Sequence, residues 1–253
     1  MPGIRERIGR RLALYLSAPL VRARNPSTAT PEAVAAALRV GDVLLVDGNS
    51  RFSAAIRYLT QSTWSHAALC VHERDAANPT PQLLEADVTR GVQVIALDKY
   101  AGFHTRICRP VGLTASEIEA VVAHARARIG DRYDLKNVFD LMRYLVRNPP
   151  LPDRYKRRAL ALGSGDPTRA ICSSLIAQAY QSVHYPILPQ VVLDDEQPGN
   201  RYKRHELLQI RHYSLFAPRD FDVSPYFRIV KPTIESGFDP HKVAWAMGED
   251  APV

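Results

Sequence analysis

Two spacings of apolar residues alternate along the chain. Val43-Leu44-Leu45-Val46 is an unbroken apolar run, opened by Gly41-Asp42 and closed by Asp47-Gly48, which predicts a buried strand. Phe52, Ala55, Ile56 and Leu59 recur at helical spacing and predict a short helix over 51–61. Glu32–Leu38 predicts another. His66–Val71 and Gln82–Val88 predict two strands, with the turn formers Asn78, Pro79 and Pro81 between them. An antiparallel hairpin centred near residues 75–76 would set His66 opposite Glu85, with Cβ atoms about 5 Å apart. A slip of one residue would put the two side chains on opposite faces. Val92–Leu97 predicts a third strand and Thr105–Arg109 a fourth. Thr114-Ala115-Ser116-Glu117 is a capping box. The helix it opens carries Ile118, Val121, Val122, Ala125 and Ile129 on one face and stops at Gly130. A second helix carries Leu135, Val138, Phe139, Met142, Leu145 and Val146 and ends at Pro149-Pro150. Cys172 stands at the head of another apolar helical run that continues to Tyr180. His205–Ile210 reads as helical, and Tyr226–Val230 as a strand.

Composition narrows the class. The chain has 253 residues and is 46% hydrophobic, enough for one large core. Its net charge is +7, with arginine clusters at 5–11, 154–158 and 201–204. No nucleic-acid motif accompanies them, so a generally basic surface is the reading, with no nucleic-acid partner. No apolar run is long enough to cross a membrane. Ile4, Ile8, Leu12, Tyr15 and Leu16 share one helical face with arginines on the other. That pattern suits either a helix on a membrane surface, through residues 1–24, or one packed on its own domain. Residues 25–31 read as a linker. The chain therefore divides into an N-terminal basic segment with its linker, 1–30, and a single domain, 31–253, with a Pro- and aromatic-rich C-terminal extension. The three cysteines, Cys70, Cys108 and Cys172, are too sparse for a disulfide framework and fit a reducing compartment. The expected location is cytoplasmic, with membrane association through the N-terminal segment as an extension of it. Oligomeric state is left unassigned.

A cysteine in an apolar helix is ordinarily a packing residue. Three features distinguish Cys172: two serines follow it, a glycine-containing loop (Gly163-Ser164-Gly165) precedes it, and a His–Glu pair stands on the predicted hairpin. At a helix start the thiolate is favoured by the positive end of the helix dipole. That holds best if the helix begins near Ile171, and less well if Asp166 caps it with Pro167 in the first turn. Cys70 and Cys108 fall inside strand patterns and read as packing residues. His72, His104, His184 and His205 are alternative bases. Neither a metal nor a cofactor is implied: His66, His72 and Glu73 lack ligand spacing, and the 163–165 loop lacks the continuation of a phosphate loop.

Four stretches, in order, resemble the permuted papain-like amidases of the YiiX/YaeF type, circularly permuted relatives of NlpC-type peptidases. They are Gly41-Asp42-Val43-Leu44-Leu45; Trp64-Ser65-His66-Ala67-Ala68-Leu69; Leu84-Glu85-Ala86 with Gly91-Val92; and Gly130-Asp131-Arg132-Tyr133-Asp134 followed by Ile171-Cys172-Ser173-Ser174-Leu175. The resemblance covers about residues 40–185, with Ser174 where the family commonly has Glu. It implies an α+β, permuted papain-like (NlpC-type) fold, a central antiparallel sheet packed on helices. It also implies Cys172 as nucleophile, His66 as base, Glu85 as orienting partner, and a structural or substrate-facing role for Tyr133. The expected function is a cysteine hydrolase cleaving an amide bond in a small peptide-like or acylated amino-acid substrate through a thioester. The alternatives are a lipid-directed thiol acyltransferase or phospholipase at a membrane surface, and an inactive binding module.

Overall fold

Val43–Val46 contains no polar residue because the sheet it belongs to is covered on both sides. The computed structural model describes residues 18, 27, 29–87, 89–131, 171–194, 205–209 and 211–242. Tyr133, the expected helix over 135–146, the loop at 163–168 and the N-terminal amphipathic segment lie outside the described residues. Helix α1 (Pro31–Ala37) leads into β1 (Val43–Val46) and α2 (Arg51–Thr60). Strands β2 (His66–His72), β3 (Gln82–Asp87) and β4 (Gly91–Ala96) follow. A 3-10 turn, Leu97–Tyr100, joins β4 to β5 (Thr105–Pro110), and α3 spans Ala115–Arg126. Helix α4 (Ile171–Gln181) precedes β6 (Gln190–Asp194), β7 (His205–Gln209), α5 (Pro218–Asp222), β8 (Phe227–Val230) and α6 (Pro232–Glu235).

Six strands form one antiparallel sheet in the order β4-β3-β2-β1-β5-β8. Strand side chains alternate between faces, and the two faces carry separate clusters. Val43, Leu45, Ala67, Leu69 and Leu84 face α3 and α4. Leu44, Val46, Ala68, Cys70 and Leu83 face the other way, packed with Val34, Leu97 and Tyr100. Burying a side chain such as Leu44 or Leu45, neither exposed at all, contributes about 1.5–3 kcal/mol. The architecture is α+β, an antiparallel sheet packed on helices, as the resemblance implied.

Local signals act as expected at several ends. The Thr114 side chain accepts from the Glu117 amide while the Glu117 carboxylate accepts from the Thr114 amide, so the capping box closes both ways. Val121, Val122 and Ala125 are buried as predicted. The helix ends at Arg126, however, and Ile129 is 48% exposed rather than on the buried face. The turn that follows bends back so that the Gly130 amide can donate to the Val92 carbonyl at 3.0 Å. Gly130 sits at φ +91°, a conformation that L side chains avoid.

Two expectations are corrected. His205–Gln209 is a strand, β7, paired with β6 from Gln190↔Gln209 to Asp194↔His205. Propensity alone did not reveal a partner strand that makes extended backbone the better state. The β2–β3 hairpin is out of its expected register by two: Leu69 pairs with Leu84 and Cys70 with Leu83, with an irregularity before His72↔Gln82. In that register Ala68, not His66, stands across from Glu85. An even slip preserves the face, so His66 and Glu85 become diagonal neighbours, still within reach of long side chains.

Candidate active site

Two strands and a helix start supply the site. His66 is the first residue of β2, and Glu85 lies on β3 on the same face as Leu83. Cys172 is the second residue of α4, which packs on the opposite face of the sheet. The three meet at the sheet margin, where they line one cavity of about 180 Å³ together with Asn49, Phe52 and Lys99.

Glu85 is fully buried as a side chain, and its two oxygens are shared among four donors. Oε2 accepts from His66 Nε2 at 3.0 Å and from the Tyr100 hydroxyl. Oε1 accepts from Gln93 Nε2 at 2.8 Å and from Lys99 Nζ. A buried carboxylate without such partners would protonate. Burial does push its pKa up, but His66, Lys99 and Tyr100 more than reverse that and hold it well below the usual carboxylate range. Lys99 and Tyr100 occupy consecutive positions of one 3-10 turn, so a single short element clamps both oxygens.

With Nε2 committed to Glu85, the ring nitrogen left to His66 for the thiol is Nδ1. The imidazole and the Cys172 side chain line the same cavity, close enough for each to shift the other's proton affinity. Burial lowers the His66 pKa, yet the charge and hydrogen bond of Cys172, with Glu85 behind them, lift it to about 10. Cys172 moves the opposite way: burial pushes it up, and the His66 charge and hydrogen bond pull it below its ordinary 9.0, helped by the Ala67 amide and the Ser173 hydroxyl. Both shifts favour the thiolate–imidazolium form of the pair. The first turn of any helix has amides with no intrahelical acceptor, and Cys172 lies in that turn.

The walls are anchored from outside the hairpin. The Gly48 amide donates to Ser65 Oγ at 2.9 Å, and a Cβ at Gly48 would collide with Ser53 Oγ, so the β1–α2 loop is held close by a glycine. Trp64 Nε1 donates to Asp222 Oδ2 at 2.9 Å and Arg106 to Asp222 Oδ1 at 2.6 Å, with the guanidinium 5.0 Å from the indole centroid. This network ties the residues before His66 to α5, in the C-terminal extension.

The structure therefore brings Cys172, His66 and Glu85 together, while Tyr133 lies outside the described residues. His72 points elsewhere, with Nε2 at 3.4 Å from Asp75 Oδ2. Cys70 and Cys108 are buried packing residues, as expected. Lys99, Tyr100 and Gln93 escaped the sequence reading. Gln93 had a signal, since it pairs directly with Glu85 across β3 and β4. Lys99 and Tyr100 lie in a stretch without periodicity.

Among curated proteins, none matches the chain. A solved structure titled metalloprotein yiiX from Escherichia coli O157:H7 shares 16% identity at a TM-score of 0.46. The likeness covers 77% of this chain and 97% of that one. Residues 37–144, which hold His66 and Glu85 and end before Cys172, match the permuted papain-like amidase enzyme family, YaeF/YiiX, the C92 family, and the α+β sheet-and-helix architecture is the one expected of it.

Proposed function

We propose that the protein is a cysteine hydrolase that cleaves an amide bond in a peptide-like or acylated amino-acid substrate. The observation that carries this is the Cys172–His66–Glu85 relay in one cavity, with proton affinities displaced toward thiolate and imidazolium. The Cys172 thiolate attacks the carbonyl carbon, forming a C–S bond while the carbonyl pair moves onto oxygen. The backbone N–H of Cys172, in the first turn of α4, is a candidate donor to that oxyanion. His66, already protonated, gives its proton to the leaving nitrogen as the C–N bond breaks, leaving a thioester. Neutral His66 then takes a proton from water as the water attacks the thioester. Acid is released, and the thiolate and the imidazolium are restored. Glu85 accepts from Nε2 throughout, which keeps the other nitrogen aimed at sulfur. His66 thus acts first as an acid, because its proton is in place before substrate arrives.

The test pairs labelling with turnover. Iodoacetamide at neutral pH is expected to alkylate Cys172 ahead of the other thiols. A panel of aminoacyl and acyl-amino-acid amides is expected to contain a substrate whose hydrolysis disappears in Cys172→Ala and His66→Ala. A Cys172 that reacts no faster than an ordinary buried thiol would defeat the mechanism.

A further inference from the structure

One charge in the cavity has no part in the mechanism. Asp87 closes β3 two residues beyond Glu85, on the same strand face, and lines the same cavity as Cys172, His66 and Lys99. The β2–β3 register, carried to the strand ends, sets Asp87 across from His66. Part of its carboxylate has a structural task. Oδ1 accepts from the Thr89 amide at 2.8 Å, the Thr89 hydroxyl at 2.5 Å and the Arg90 amide at 3.0 Å, which shapes the β3–β4 turn. All three bonds go to one oxygen, and among the described residues Oδ2 has no hydrogen-bond donor. Burial raises the Asp87 pKa, but those donors and the nearby Lys99 lower it further, so the group is an anion at neutral pH.

The charges around the cavity do not cancel. In the thiolate–imidazolium form of the proposed mechanism, Cys172, Glu85 and Asp87 are negative, while His66 and Lys99 are positive. His66 is bonded to Glu85 and faces Cys172, and Lys99 is bonded to Glu85. Asp87 is left without a hydrogen-bonded cation, beside a nucleophile, in a chain whose net charge is +7. A turn-forming role would be served as well by Asn or Ser on a surface. A charged carboxylate facing a cleft is suited to reading a cation.

We propose that Asp87 is a specificity-determining residue that binds a primary ammonium group of the substrate, so that the favoured substrates are amides bearing a free amine close to the scissile carbonyl. This rests on Cys172 being the nucleophile, and the experiment separates the two claims. Cys172 is modified with three methanethiosulfonates of matched reactivity: a cationic 2-aminoethyl, an anionic 2-sulfonatoethyl and a neutral methyl reagent. Rates are followed by intact mass with the site mapped by peptide analysis. Dividing each charged rate by the neutral one cancels any change in thiolate fraction. The wild type is expected to prefer the cation over the anion, and Asp87→Asn to lower that preference roughly tenfold, the size expected of one partly screened unit charge at short range. Asn retains the Oδ1 acceptor that shapes the turn. Asp87→Ser is the second variant, and circular dichroism checks the fold of both. A cation-to-anion ratio unchanged in both folded variants, or an anionic preference in the wild type, overturns the assignment to Asp87. Failure of the neutral reagent to modify wild-type Cys172 overturns the nucleophile itself, and the proposal with it.

Discussion

Two regions of the molecule bury a thiol, with opposite results. Cys70 on β2 and Cys108 on β5 have no exposed surface, and Cys172 at the start of α4 is only 4% exposed. Inside the sheet, burial pushes the Cys70 thiol up to about 12, and it pushes Cys108 up as well. Cys172 suffers the same desolvation, yet its pKa falls, because an imidazolium and a backbone amide face the sulfur. Burial is thus not the variable that separates a packing cysteine from a reactive one. The separating variable is what stands against the sulfur, and here it is a histidine held by a carboxylate that is itself clamped.

The largest effect that could break this contrast is in the labelling pattern. At pH 7, Cys172→Ala is expected to remove nearly all fast alkylation by iodoacetamide, while Cys70→Ala and Cys108→Ala leave it intact. Hydrolysis should fall by about 10³-fold or more in Cys172→Ala only. Fast labelling that persists in Cys172→Ala would place the reactive thiol in the sheet and reverse the comparison. His66→Ala comes next. It leaves Cys172 buried without its cation, so the thiol pKa should rise and labelling at pH 7 should slow by roughly 10²-fold, as in the two sheet cysteines.

The pair also predicts two different pH profiles. Alkylation needs only the thiolate, so it should persist below the ordinary thiol pKa and show no decline at alkaline pH. Hydrolysis needs the His66 proton as well, so its rate should fall as pH rises through about 10, where the imidazolium is lost. Coincident alkaline limbs in the two profiles would mean that His66 is not the acid. A smaller effect tests the clamp. Lys99→Met takes a cation from a fully buried carboxylate, so Glu85 should protonate at higher pH. The acid limb of alkylation should then move upward, with a several-fold loss near pH 6. An acid limb that stays in place would show that Lys99 is a bystander.

The legibility of the site follows from the range of the interactions. Strands β1 to β5 lie within about a residue of their predicted ends because their signals are local: apolar runs between glycines, prolines and a capping box. The site survived a wrong register because the error was even, so Glu85 kept the face of His66 even though Ala68 stands across from it. Features that depend on distant partners were not legible. β7 is extended only because β6 is beside it. Asp222 reaches Trp64 from across the chain, with no local mark. Lys99 and Tyr100 find Glu85 through a 3-10 turn whose direction no periodicity encodes.

The smallest predicted effect concerns Tyr100, and it asks whether the clamp is a matter of charge or of packing. Glu85 has a folded-state pKa held below its ordinary 4.5, so it contributes stability that is present above that value and lost as pH falls toward the depressed one. The Tyr100 hydroxyl is one of the donors that depress it. Tyr100→Phe keeps the ring, which stands in the cluster with Leu97 and Leu83, and removes only the hydroxyl. Its cost should be about 0.5–1.5 kcal/mol at pH 7. That cost should shrink as pH falls toward the depressed folded-state pKa of Glu85, which loss of the hydroxyl raises in the variant; protonation of the unfolded chain is common to both proteins and cancels. Denaturant unfolding of wild type and variant at pH 2, 4 and 7 measures the difference. A penalty equal at all three values would assign Tyr100 to packing alone. A penalty that closes toward acid would make its hydroxyl part of what keeps Glu85 charged, and so part of what sets Cys172 apart from the two cysteines in the sheet.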